Sequence, residues 1–196
     1  MSTRWIKRPY IHPSILHVGS IVWILCLFLT PVFGQLVIPD SFLVRLDNLQ
    51  ADIIRPLDSD FRSIQVPANR FLPTHFAMYS KQEKLEIRYY LQAESEMGPF
   101  VGMPHVAAGR LLIDVSSNDE DAVTTAHSFQ GETLATYRAD WAKLFTFQPK
   151  RRFSDTNFAQ MVALYQEGIG MLYVFLLFDK APDTLDSRQL AIRFIN

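Results

Sequence analysis

One cysteine, Cys26, serves the whole chain of 196 residues, and no Asn-x-Ser/Thr glycosylation acceptor occurs anywhere in it. Small secreted eukaryotic domains commonly depend on disulfides, whereas periplasmic domains of comparable size manage without them. The two absences together point away from a eukaryotic secretory route. Metal-ligand spacings such as His-x-x-x-His or His-Glu-x-x-His are missing, as is a Gly-x-Ser-x-Gly nucleophile turn. Glycine is scarce, at 8 residues, and its one close pair, Gly168-Ile169-Gly170, follows an expected helix and precedes an expected strand. A phosphate cradle needs the reverse order. No metal and no cofactor is expected. An excess of positive charge is absent too, with 19 Lys+Arg against 20 Asp+Glu.

What the chain does have is an ordered N-terminus. Arg4, Lys7 and Arg8 precede the apolar run Ile21–Leu29, and Thr30-Pro31-Val32-Phe33-Gly34 follows. That is the layout of a secretory signal peptide over residues 1–34, with the cut expected between Gly34 and Gln35. The alternative, an uncleaved anchor, is poorly served by the stretch from Val18 to Phe33: a spanning helix needs about 20 apolar residues, and Pro31 interrupts this one. Cys26 follows bulky Leu25 and does not suit lipid attachment. The leader holds 3 of the bases and none of the acids, leaving residues 35–196 at −4. A mildly acidic domain has no general attraction for nucleic acid or anionic lipid, so membrane contact is expected only through the leader before cleavage. The destination read from these features is a bacterial periplasm or cell surface.

The remainder is long enough for one domain with a real core. Residues 35–83 read as an N-terminal helix and an irregular connection, and 84–196 as an α+β core. Asp40 and Ser41 suit a helix start, and Phe42, Leu46, Leu49 and Ile53 form one face over 41–54. Pro56, Pro67 and Pro73 break the stretch that follows. A short strand is expected over Thr74–Tyr79. Leu85, Ile87, Tyr89 and Leu91 alternate with mostly polar residues, the clearest strand signal in the chain. Residues 104–117 fit helix better than strand, with Pro104 in the first turn. Val123, Thr125, His127 and Phe129 alternate as a strand. Residues 132–148 fit helix and strand equally well. Ser154 and Asp155 suit the cap of a helix whose face is Phe158, Met161, Val162 and Tyr165, with Gly168 as its terminator. Met171–Phe178 is apolar on both faces and reads as a central strand. Leu190, Ile192 and Phe194 close the chain as a strand. The class is α+β: a largely antiparallel sheet with helices on one face. The order from Leu85 to Phe178 fits a ferredoxin-like βαββαβ arrangement with an extra N-terminal helix and C-terminal strand.

Two surfaces stand out for binding. Lys150, Arg151 and Arg152 precede the expected cap at Ser154, where helix amides and local charge would together hold an anion. Met97, Phe100 and Met103 sit in a loop with Gly98, Pro99 and Gly102, which either tucks under the fold or presents an adaptable apolar contact. Catalysis would have to assemble from dispersed residues: His75 or His127 as base, oriented by Asp114 or Glu94. The carboxylate groups Asp58/Asp60, Glu94/Glu96 and Asp119/Glu120/Asp121 read as solvated turns. The expectation is a non-catalytic binding module of the bacterial envelope, engaging an envelope protein or an anionic ligand and no nucleic acid. A small periplasmic hydrolase and a small-ligand carrier are the alternatives.

Overall fold

The centre of the molecule is β8 (Gly170–Phe178), nine residues buried without exception. Such a strand must be covered on both faces and paired on both sides. In the computed structural model, which describes residues 36–66, 72 and 74–195, β8 lies between β4 (Leu85–Ala93) and β7 (Phe158–Gln166). The sheet extends outward through β3 (Phe76–Ser80) to β2 (Arg62–Ser63) on one side. On the other it runs through β6 (Trp141–Phe147) to β5 (Thr125–Ser128). Its order is β2-β3-β4-β8-β7-β6-β5, and every neighbouring pair is antiparallel. A second, two-stranded sheet pairs β1 (Ala51–Ile53) with β9 (Ile192–Phe194). The expected leader, with Cys26, lies outside the described residues.

Alternation along β4 and β8 divides the interior into two cores. Ile87, Tyr89, Val174 and Leu176 face one; Met171, Tyr173, Phe175 and Leu177 face the other. The first core is covered by α1 (Asp40–Asn48) through Phe42 and Leu46, and by β1 and β9. Tyr137 of α3 (Gly131–Tyr137) and Leu185 of α4 (Leu185–Gln189) also join it. The second core is covered by α2 (Pro104–Val115) through Ala107, Ala108 and Leu111, with Phe153 beside it. The α+β class with an antiparallel sheet therefore holds. The helices divide between the two faces instead of sharing one.

The expected helix after Ser154 is a bend followed by β7, so the βαββαβ order does not describe this sheet: β5, β6, β7 and β8 run as a meander that closes on β4. The helix over 41–54 stops at Asn48. Gln50 takes a left-handed φ of 46°, and Ile53 is used as strand opposite Ile192. Pro39 occupies the cap position and Asp40 falls in the first turn, where a carboxylate suits the helix dipole. Residues 132–148 satisfy both readings in succession, helix to Tyr137 and strand from Trp141.

Candidate functional site

The loop between β6 and β7 carries the basic cluster, and the end of α2 fixes it. Ser117 N–H donates to Gln148 O at 2.7 Å and Lys150 N–H to Val115 O at 2.8 Å. Lys150 Nζ reaches Ile113 O at 2.5 Å. An ammonium on the last carbonyls of a helix satisfies orphan acceptors and opposes the negative end of the dipole. Lys150 is thus spent on capping α2. Phe153 turns inward, its ring 5.1 Å from that of Phe175, and its carbonyl accepts from Arg88 Nη1 at 2.7 Å. Arg151 and Arg152 remain on the exposed side of this anchored loop.

Beside them opens a groove of about 410 Å³, lined by Ser117, Asp119, Gln148, Pro149, Arg151, Thr156, Asn157 and Phe158. Arg151 Nη1 donates to Asp155 O at 2.9 Å within its own loop. Asp119 accepts from Ser117 Oγ at 2.7 Å. One guanidinium, one carboxylate, two hydroxyls, two carboxamides and the partly exposed Phe158 ring meet here. This suits a polar ligand offering both hydrogen-bond donors and acceptors, such as a peptide segment with an acidic side chain. The anion site expected at a helix start has no helix to supply it, and the cation that lines the groove is Arg151.

The second expected surface splits. Met97 is 2% exposed and belongs to the second core, while Met103 is 41% exposed beside exposed Val101. Phe100 lies half-buried under Arg110, with 5.8 Å from guanidinium to ring. Glu94 secures this loop by accepting from Tyr165 Oη at 2.9 Å and Gly168 N–H at 3.2 Å. Glu96 accepts from Ala93 N–H at 3.0 Å and pairs with Arg45 at 3.1 Å. Both carboxylates clamp the loop, Glu94 from a half-buried position and Glu96 from the exposed surface.

His75, His127, Asp114 and Glu94 are not brought together. His75 lies just before β3 and His127 on β5, five strand steps away, or about 24 Å at the usual interstrand spacing. His127 stands opposite Leu144 on the first-core side, whereas Asp114 is on α2, over the second core. Glu94 is engaged by Tyr165 and Gly168. His75 Nδ1 accepts the Leu91 N–H at 3.0 Å, and its ring stacks 5.3 Å from Tyr90. Burial, and then the nearby Arg45 charge, lower its pKa to about 4. A neutral imidazole that accepts at Nδ1 carries its proton on Nε2, so neither nitrogen is free to take one from a substrate.

A polar network not expected from sequence joins three turns. Arg188 Nη2 bonds Glu83 at 2.7 Å, and its Nη1 lies 2.9 Å from Asp58. Thr184 Oγ1 donates to the same Glu83 carboxylate at 2.7 Å. Burial pushes the Glu83 carboxyl up, but hydrogen bonds from Arg188, Ser59 and Thr184 outweigh it and the net shift is down. With sequence separations of 105 and 130, the pairings leave no local signal. They fasten α4 to the turn before β4 and to the irregular segment around Asp58.

Among the described residues no cluster of three His, Cys, Asp or Glu is placed to hold a metal ion, and no helix is long and apolar enough to cross a membrane. No family model, curated protein or solved structure matches the chain.

Proposed function

We propose that this chain is an exported, non-catalytic binding module of the bacterial envelope, and that the groove beside Arg151 is its contact surface. The observation that carries the reading is the pairing of a rigidly held basic loop with an open polar groove. Capping by Lys150 and burial of Phe153 fix the backbone, so little ordering entropy is lost when a partner docks. The candidate acids and bases of a hydrolase are each committed to separate structural hydrogen bonds or lie on opposite sheet faces. The partner that fits is an acidic, extended segment of an envelope protein. The test places a photo-crosslinking residue at Asn157 in cells. One discrete adduct is expected, weakened about tenfold (1.4 kcal/mol) by Arg151→Glu while thermal stability is unchanged. Failure to form an adduct, or the same adducts from a crosslinker at exposed Glu132, would sink the proposal.

A further inference from the structure

The two edges of the seven-stranded sheet are built differently. β2 is two residues long and carries Arg62, a short and charged edge of the kind that discourages pairing. β5 is four residues long and all four are exposed. Its sequence is Thr125-Ala126-His127-Ser128, and residues 122–131 contain no Lys, Arg, Asp, Glu or Pro, although 20% of the whole chain is charged.

The register states which backbone groups the edge offers. Phe129 N–H donates to Ala142 O at 3.1 Å, and His127 and Thr125 stand opposite Leu144 and Thr146. In an antiparallel ladder alternate residues bond to the same neighbour, so Thr125, His127 and Phe129 face β6. Ala126 and Ser128 therefore direct their N–H and C=O groups away from the sheet.

We propose that β5 pairs with β5 of a second copy, antiparallel about a twofold axis through His127, joining two sheets into one. In that register Ala126 of each chain bonds Ser128 of the other, using every outward group of both residues, and His127 meets its own copy as the non-hydrogen-bonded pair. The absence of charge is what selects a second copy as occupant. A twofold axis sets each strand against itself, and any fixed charge near the axis would meet its own sign. A partner recognised through charge would find none here. The contact is small, so the dimer is weak and concentration-dependent.

The test uses the full chain with Cys26→Ser, carrying either His127→Cys or, as a control, Ile113→Cys on the exposed side of α2. A non-hydrogen-bonded antiparallel pair brings Cβ atoms to disulfide distance, so mild oxidation should link the position 127 variant about tenfold faster than the control. Sedimentation of the cysteine-free chain should show a dimer fraction that rises with concentration and disappears in Ala126→Pro. That proline removes an N–H the fold does not use, and the variant should keep its circular dichroism spectrum. A chain that remains monomeric, a dimer that survives Ala126→Pro, or equal linking at 113 and 127 overturns the proposal. Capture of an unrelated extended peptide by a monomeric chain would do so as well.

Discussion

At His75 side chains replace a missing strand end. β3 begins at Phe76, opposite Tyr89, so the backbone groups of Leu91 have no partner on that side. His75 Nδ1 takes the N–H at 3.0 Å, and Arg45 Nη1 supplies the carbonyl at 3.3 Å. The histidine must be neutral to accept, and its pKa is lowered from 6.5 to about 4 in the fold. As pH falls through 6.5 the unfolded chain binds the proton first. Stability due to this group is therefore full above pH 6.5, declines toward pH 4 and is flat below it. With a discount for partial exposure, the loss is about 2 kcal/mol across that window. Denaturant titrations from pH 7 to 4 should show it, and His75→Gln, which keeps an acceptor but does not titrate, should remove that share of the slope. An unchanged slope in the variant would mean Leu91 is satisfied some other way. Nothing in the sequence around His75 announces this task, because the group it serves lies 16 residues away. The acids show the same limit. Asp60 looks like one more turn carboxylate, yet it accepts from fully buried Ser80 at 2.5 Å.

Elements were legible in proportion to how one-sided their burial is. β4 alternates in sequence, and Leu85, Ile87, Tyr89 and Leu91 are all fully buried. α2 shows a stripe because only its inner face is covered. β7 misleads for the opposite reason. Buried on both faces between β6 and β8, it can be apolar at any position, and its Phe158, Met161, Val162 and Tyr165 happen to fall at helical spacing. Its Ala, Gln, Met and Leu also favour a helix, but pairing on both sides overrides propensity. The candidate site changes with it, because a strand start at Phe158 offers no helix N-terminus to hold an anion. Arg151 and Arg152 were legible as a basic cluster; the groove beside them was not, because Ser117 and Asp119 come from a distant turn. The β7–β8 hairpin also reassigns Gly168 from helix terminator to turn residue and makes Gly170 the first residue of β8. Gly170 has φ 138°, and a Cβ there would sit 2.8 Å from Glu94 N and press on the Gln92 carbonyl oxygen. Backbone on both contacts cannot yield easily. Gly170→Ala should cost about 3 kcal/mol or more, measured by denaturant unfolding, with loss of the β4–β8 closure at that end. A near-neutral result would mean the hairpin entry is placed differently.

For the whole molecule, the useful coincidence is where folding begins. The described residues, 36 onward, fall in one compact unit, and Leu36 and Ile38 pack on the first core. The cut proposed between Gly34 and Gln35 would leave both of these side chains in the mature protein. Expressed alone, residues 35–196 should unfold in one transition within about 2 °C of the full chain. A version starting at Pro39 loses the partly buried Leu36 and Ile38, about 1–2 kcal/mol, and should melt roughly 3–6 °C lower. Export itself is read from the product. Expressed with residues 1–34 in a Gram-negative bacterium, the protein recovered from the periplasm should begin at Gln35 on N-terminal sequencing. Recovery from the cytoplasm with Met1 retained would remove the envelope from the proposed function. The groove beside Arg151 and the β5 edge would then have to find their partners inside the cell, and the crosslinking at Asn157 and the sedimentation series would still judge each surface by itself.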